Sequence, residues 1–311
     1  MTLTFRRYRH EEDYRAVERF LVRTYVQSAD HRGWPQPRWE YMHAHPSSRQ
    51  LQSEFGRFGV WEDDGKMVGL VHCEDRLGVA YVQLDPLYPQ LKRPMVEHAV
   101  EHLQGKLRAG PGIYVFLDDA DKEFGQIARA LGFEPSDHAE ATSRLEIPDP
   151  FPEIRLPDGF RLTSLAEEFS VEKVHRCMHR GFNHEGEPPA NELDDRRRKL
   201  NSPSFRRDLT MAVVAPNGDF VSFCGIWPMP ESDQCYIEPV ATDPDYRRMG
   251  LGTAAVMEAV RRCSLEGARM AVVGSDLAFY RSMGFEADSR HTAWWRRAES
   301  LSPHSETSAG S

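Results

Sequence analysis

Cysteine is scarce in this sequence and shows no pairing pattern. Cys73, Cys177, Cys224, Cys235 and Cys263 are odd in number, widely spaced and include no Cys-x-x-Cys. That argues against a disulfide framework or a zinc knuckle and predicts a reduced, cytoplasmic protein. Long apolar runs are missing as well, and nothing approaches the roughly 20 consecutive apolar residues of a membrane span. Met1 to Arg9 is polar and basic with no apolar stretch behind it, so neither a signal peptide nor a membrane partner is expected. An excess of positive charge is also absent. The formal net charge of -9 leaves no footprint for a phosphate backbone, and no nucleic-acid partner is expected. Such a field suits a cationic or neutral substrate, or serves solubility alone. His31, His43 and His45 lie near one another in sequence without metal-ligand spacing, so no metal is expected.

What is present is an ordinary globular composition, 40% apolar and 28% charged, over 311 residues. Such a length predicts two domains of about 150 residues. A proline-rich stretch, Ile147 to Pro157, reads as a linker or exposed crossover, because proline removes donors and disfavours regular structure. It divides the chain into 1–150 and 151–300, and the Ser-rich tail from Leu301 to Ser311 reads as disordered.

The halves repeat one order of elements. In the first, a strand over Leu3–Tyr8 precedes an amphipathic helix over Glu11–Gln27 and a second helix within Pro37–Glu54. Strands over Phe58–Trp61 and Met67–Cys73 flank a turn at Asp64-Gly65, and Val79–Leu84 follows. A helix over Pro94–Leu107, a strand over Ile113–Leu117 and a helix over Phe124–Leu131 complete it. In the second half, strand Phe160–Leu165 precedes helices over Glu167–Arg180 and Glu192–Leu200. Strands over Leu209–Ala215 and Phe220–Trp227 meet at Asn217-Gly218, and Cys235–Thr242 follows. Helix Leu251–Leu265, strand Met270–Val273, helix Leu277–Met283 and a last strand at Ala293–Trp295 end it. The fold class is α/β with mixed sheets: two copies of one unit, each a mostly antiparallel sheet flanked by helices.

The chemistry concentrates in Val240 to Ala254, VATDPDYRRMGLGTA. A strand ends near Thr242 and a helix opens near Gly250, with Arg247, Arg248, Gly250 and Gly252 at the junction. Glycine permits a tight loop and close backbone approach. The first helical N–H groups are unsatisfied and carry the positive end of the dipole, which suits phosphate. Arg247 and Arg248 add charge-assisted donors. By residue type alone this is a pyrophosphate site or a Gly-capped loop with solvated arginines. It is neither a Rossmann nor a Walker loop, since both Gly-x-Gly-x-x-Gly and Gly-Lys-Ser/Thr are missing.

Arg247-Arg248-Met249-Gly250-Leu251-Gly252 resembles the acyl-CoA signature of the GNAT superfamily of N-acetyltransferases, (Gln/Arg)-x-x-Gly-x-(Gly/Ala). Val240-x-Thr242-x-Pro244 resembles the end of that family's fourth strand. Phe279-Tyr280-Arg281-Ser282-Met283-Gly284-Phe285 resembles its second landmark, Phe-Tyr-x-x-x-Gly-Phe. The resemblance spans about Phe160 to Arg297 and implies acetyl-CoA as co-substrate. It implies that the main chain of Val240, Ala241 and Thr242 pairs with pantetheine. Amides from Arg247 through Met249, Leu251 and Thr253 would hold pyrophosphate, and Tyr280 would protonate the leaving thiolate. Ser275 and Asp276 stand where the family commonly has an Asn that contacts pantetheine, a departure from its pattern. Without the resemblance, Tyr280 reads as a core aromatic.

An attacking amine must lose a proton, which a carboxylate takes directly or through water. Glu238, in Cys-Tyr-Ile-Glu-Pro, is the candidate base, and the other reading is an alternating strand with Glu238 facing water. His184, Glu185 and Glu187 are alternatives, or members of a solvated acidic loop. The first half matches the landmarks only in Leu131-Gly132-Phe133 and Val82-x-Leu84-x-Pro86, with no Gly-x-Gly and with Pro89 and Pro94 where donors are needed. It reads as a GNAT-like copy that has lost acyl-CoA binding. Trp34 and Trp39 either stack on substrate or pack their loop. The expected activity is N-acetyl transfer to an amine of a small molecule or peptide, by a monomer or homodimer. A non-catalytic acyl-CoA sensor is the alternative.

Overall fold

The computed structural model describes residues 2–28, 33–45 and 49–298. His31 and the expected disordered tail, 301–311, lie outside them. The first half runs β1 (Leu3–Arg7), α1 (His10–Gln27), α2 (Gln36–Ala44), α3 (Arg49–Gln52), β2 (Gly59–Asp63), β3 (Lys66–Cys73) and β4 (Val79–Leu84). It continues through α4 (Lys92–His102), β5 (Gly105–Leu107), β6 (Gly110–Asp118), α5 (Lys122–Ala130) and β7 (Glu134–Glu146). The second half runs β8 (Arg161–Ser164), α6 (Val171–Gly181), α7 (Leu193–Lys199), β9 (Met211–Val214), β10 (Phe220–Met229) and β11 (Gln234–Thr242). It ends with α8 (Leu251–Leu265), β12 (Met270–Val273), α9 (Ala278–Arg281) and β13 (Glu286–Arg297).

Local chemistry explains several boundaries. The Ser170 hydroxyl accepts from the Lys173 N–H at 3.1 Å and starts α6, whose Val174, Cys177 and Met178 bury one stripe. Gly218, at φ +86°, supplies the left-handed position of the β9–β10 turn. The helix expected over Pro94–Leu107 ends at His102, and residues 105–107 pair with β6 instead.

Among the described residues thirteen strands form one sheet, ordered β1-β2-β3-β4-β6-β13-β7-β12-β11-β10-β9-β8, with β5 against β6. Among these pairings, β4–β6 and β11–β12 are the parallel ones. The two halves exchange strands at the centre. β7, from the first half, lies against β12, and β13, from the second, lies against β6. β7 and β13 pair with each other, joining both units into a continuous ladder. Each core accordingly holds a borrowed side chain, Trp294 in the first and Leu145 in the second. β7 is absent from the sequence-based expectation, and β13 is far longer than Ala293–Trp295. Among the described residues no helix is long and apolar enough to cross a membrane.

Candidate active site

The site is built on a bulge in β11. Pairing with β10 shifts between Cys224 and Ile226, so that Glu238 and Pro239 stand opposite Gly225. A Cβ on Gly225 would lie 2.4 Å from the Glu238 carbonyl oxygen, so only glycine fits there. Trp227 Nε1–H donates to that oxygen at 2.9 Å and fixes the bulge. Parallel pairing with β12 ends at Ile237–Val273, leaving Glu238 to Thr242 unpaired on that side. The Asp243 N–H donates to Val221 O at 2.9 Å, and strand alternation then turns the main-chain groups of Val240 and Thr242 into the gap.

At the end of this gap α8 opens at Gly250, which caps it at φ +80° with no side chain accepting from the first turn. A Cβ on Gly250 would meet nothing within 4 Å, so the helix start faces open space. The N–H groups of Leu251, Gly252 and Thr253 have no intrahelical acceptor and point there. A Cβ on Gly252 would come within 2.9 Å of Thr242 Oγ1 and 3.2 Å of the Phe279 ring, so its absence lets α8 sit on β11 and α9. Arg248 and Met249 are exposed in the loop, with Arg248 at φ +66°. Arg247 differs from expectation. Its guanidinium donates to Gly181 O and Asn183 Oδ1, each at 2.8 Å, and to Thr242 O at 3.2 Å. It ties the end of α6 to β11 rather than reaching toward a phosphate.

Tyr280 lies in α9, packed between Phe279 and Phe285. Burial, with Cys224 and Glu238 nearby, raises its pKa, so the hydroxyl stays protonated. Ser275 Oγ accepts from the Leu277 N–H at 3.3 Å and steadies the turn into α9. Part of Glu238 borders a cavity, yet its Oε2 is buried without a hydrogen-bond partner. Burial pushes this carboxyl above the usual range and Glu74 adds to the shift, while Arg38, Tyr236 and Lys199 oppose it. A carboxyl raised in this way is a stronger base than a solvated one.

Glu238 borders two cavities. One, of about 680 Å³, extends past Tyr236 and Gly274 to Trp34, Arg38 and Glu74 of the first half. The other, of about 580 Å³, lies between α6, α7 and α2, with Tyr41 and His45 contributed by the first half. The first half therefore walls the face of the sheet on which Glu238 emerges. Trp34 stacks on the Arg38 guanidinium at 3.9 Å and lines the larger cavity. Trp39 is a correction: it is fully buried against Tyr8 and His43 and belongs to the core, where no substrate reaches it. His184 lines the smaller cavity, whereas Glu185 and Glu187 are exposed and line neither.

Tyr41, Arg196, Lys199 and Tyr236 were missed from sequence. Arg196 and Lys199 stand in Asp194-Asp195-Arg196-Arg197-Arg198-Lys199, which reads as a solvated charged helix. Their spacing, one turn apart on one face, was the available signal.

The corresponding gap in the first half differs chemically. Pairing of β4 with β6 ends at Tyr81–Phe116, opening a similar cleft. There Lys92, the first residue of α4, is held by Asp121 at 2.8 Å and Glu123 at 2.8 Å. Two carboxylates beside that helix start oppose an anion.

Residues 171–285 match the sequence model of the family described as Acetyltransferase (GNAT). The fold is similar to a GCN5-related N-acetyltransferase from Sphaerobacter thermophilus, at TM-score 0.62 and 15% identity over 96% of both chains. It is also similar to a tandem GNAT protein from the clavulanic acid biosynthesis pathway, solved without AcCoA. That likeness has TM-score 0.64 and 14% identity over 96% of this chain and 99% of the other. No curated protein matches the sequence significantly.

Proposed function

We infer that the chain is an acetyltransferase of the GNAT type, from the match of residues 171–285 to that family's model and from a fold similar to a tandem GNAT protein. On that premise it moves an acetyl group from acetyl-CoA to an amine of a small molecule or peptide by direct attack. The observation that carries this reading is a juxtaposition along β11. The strand lacks a partner on one side from Glu238 to Thr242, and beyond its end α8 starts uncapped and unobstructed at Gly250.

The residues fit the co-substrate. The free N–H groups of Leu251, Gly252 and Thr253 suit a pyrophosphate. The inward main-chain groups of Val240 and Thr242 suit the amides of pantetheine. Pro239 has no N–H, so the Val240 N–H is the bulge donor that polarises the thioester carbonyl. Glu238, made more basic by burial than a solvated carboxylate, takes the proton that the attacking ammonium must lose. Tyr280, held protonated, gives a proton to the departing thiolate. The first half supplies the opposite wall of the acceptor site and keeps water out.

Thiol release from acetyl-CoA across a broad amine panel, with Tyr280→Phe run beside the wild type, tests this. Release with one amine class, falling about 10- to 10³-fold in kcat in the variant, is expected. Tight acetyl-CoA binding with no release from any amine would replace transfer with a binding-module role.

A further inference from the structure

The smaller cavity carries a charge arrangement that acetyl transfer alone does not require. Four basic residues follow one another in α7, and they divide sharply. Arg197 pairs with the exposed Asp194, and the exposed Arg198 pairs with the buried Asp195. Arg196 and Lys199 turn the other way and line the cavity beside Glu238. Among the described residues neither has a carboxylate within ion-pair distance. Lys199 Nζ donates to the Tyr41 hydroxyl at 3.2 Å and lies 4.3 Å above its ring. Arg196 meets the same Tyr41 hydroxyl, and its Nε is buried with no hydrogen-bond partner. Basic side chains turned inward are costly unless something compensates them, and Lys199 is buried while Arg196 is half-buried one helical turn away. Glu192 and Glu238 line the same cavity and act on them through space, but neither forms an ion pair with them. The cavity of about 580 Å³ in front of both groups is large enough to admit a ligand whose anion pairs directly with them.

We infer that the acceptor is an amino acid. Its amine sits at Glu238 and its carboxylate sits between Arg196 and Lys199 across the same cavity. This rests on the transfer reading for the role of Glu238 and narrows the acceptor from amines in general to amines that carry a carboxylate. A peptide N-terminus presents a neutral amide where these cations wait, and a simple polyamine presents another cation. Both are disfavoured by the same pair of side chains. The pair also acts in concert with ligand binding. Burial and the neighbouring Arg196 push Lys199 down to about 6, so a carboxylate arriving there draws a proton onto the lysine.

Binding of the twenty proteinogenic L-amino acids to the full chain, measured by calorimetry against their carboxamides and decarboxylated amines, tests the inference. At least one acid is expected to bind about 10- to 100-fold more tightly than its amide, the range of charge-assisted hydrogen bonds. That advantage is expected to fall below about threefold in Arg196→Gln, and separately in Lys199→Met, each checked for an intact fold by its thermal melt. The inference is overturned if no acid binds better than its amide, or if the advantage survives in both folded variants. Thiol release on the same mixtures separates the two readings. An acid advantage without release would refute transfer and leave the carboxylate site standing. Release from amides and plain amines with no acid advantage would do the reverse.

Discussion

Lys199→Met should make the protein more stable, and the gain should depend on pH in a defined direction. Lys199 is 5% exposed, and burial lowers its pKa from 10.5 to about 6. At about 1.4 kcal/mol per pK unit, charging the buried amine costs about 6 kcal/mol. In the unfolded chain the lysine is protonated below 10.5, while in the folded chain it is not until about 6. Stability is therefore lost as pH falls through that window, and the loss is complete below about pH 6. At pH 7.5 about 4 kcal/mol of it is present. Methionine keeps the aliphatic volume but gives up the hydrogen bond to Tyr41, worth about 1 kcal/mol. The net gain of about 3 kcal/mol corresponds to a Tm rise of roughly 5 °C for a chain of this size. Groups facing Lys199 enter the same balance: Arg196 on its own helix, Glu192 before it, Tyr41 and His45 from α2, and Glu238 from β11. Differential scanning calorimetry from pH 6 to 9.5 reads the result, with the gap between variant and wild type widest at pH 6 and narrowing upward. A less stable variant, or a gap that does not change with pH, would refute the buried, uncompensated lysine.

Three further predictions concern the catalytic face and the core. Glu238→Gln should move the rise of the pH–rate profile to higher pH, because the group that accepts the amine proton is gone; a superimposable profile would assign that role elsewhere. Gly250→Asp should abolish acetyl-CoA binding in calorimetry, since it sets a carboxylate at the helix start and puts a Cβ at φ +80°; unchanged affinity would remove that helix start from the site. Trp39→Ala should lower stability by about 3–5 kcal/mol in urea titration, as a fully buried Trp does. A near-neutral effect on stability with a large rise in acceptor KM would return Trp39 to the substrate.

The parts of the site that could be read from sequence are those built by local chemistry. Two glycines and a strand end are enough to announce the start of α8, and Phe279-Tyr280 with Gly284 announces α9. Parts that depend on distant partners stayed hidden. β7 reads as polar because its sequence, EPSDHAEATSRLE, has a largely exposed or half-buried run of side chains. Its place in the sheet comes from main-chain pairing with two strands of the other half, which no apolar alternation records. Arg247 looks like a phosphate ligand until the folded chain brings Gly181 and Asn183 to it. Trp34 and Trp39 are five residues apart and equally aromatic, yet one lines a cavity and the other fills the core. Arg196 and Lys199 resemble their solvated neighbours until α2 of the first half covers them.

The strand exchange also fixes an order of events during synthesis. Thr292 of β13 lies opposite Leu117 of β6, so the first half gains a central neighbour only after roughly 175 further residues have left the ribosome. Until then β6 presents an unpaired inner edge, and the first core lacks Trp294. The sheet of the first half therefore lacks that neighbour from the completion of β7 at Glu146 until β13 follows at Glu286–Arg297. The step that closes its sheet is the same step that completes the second half around β7.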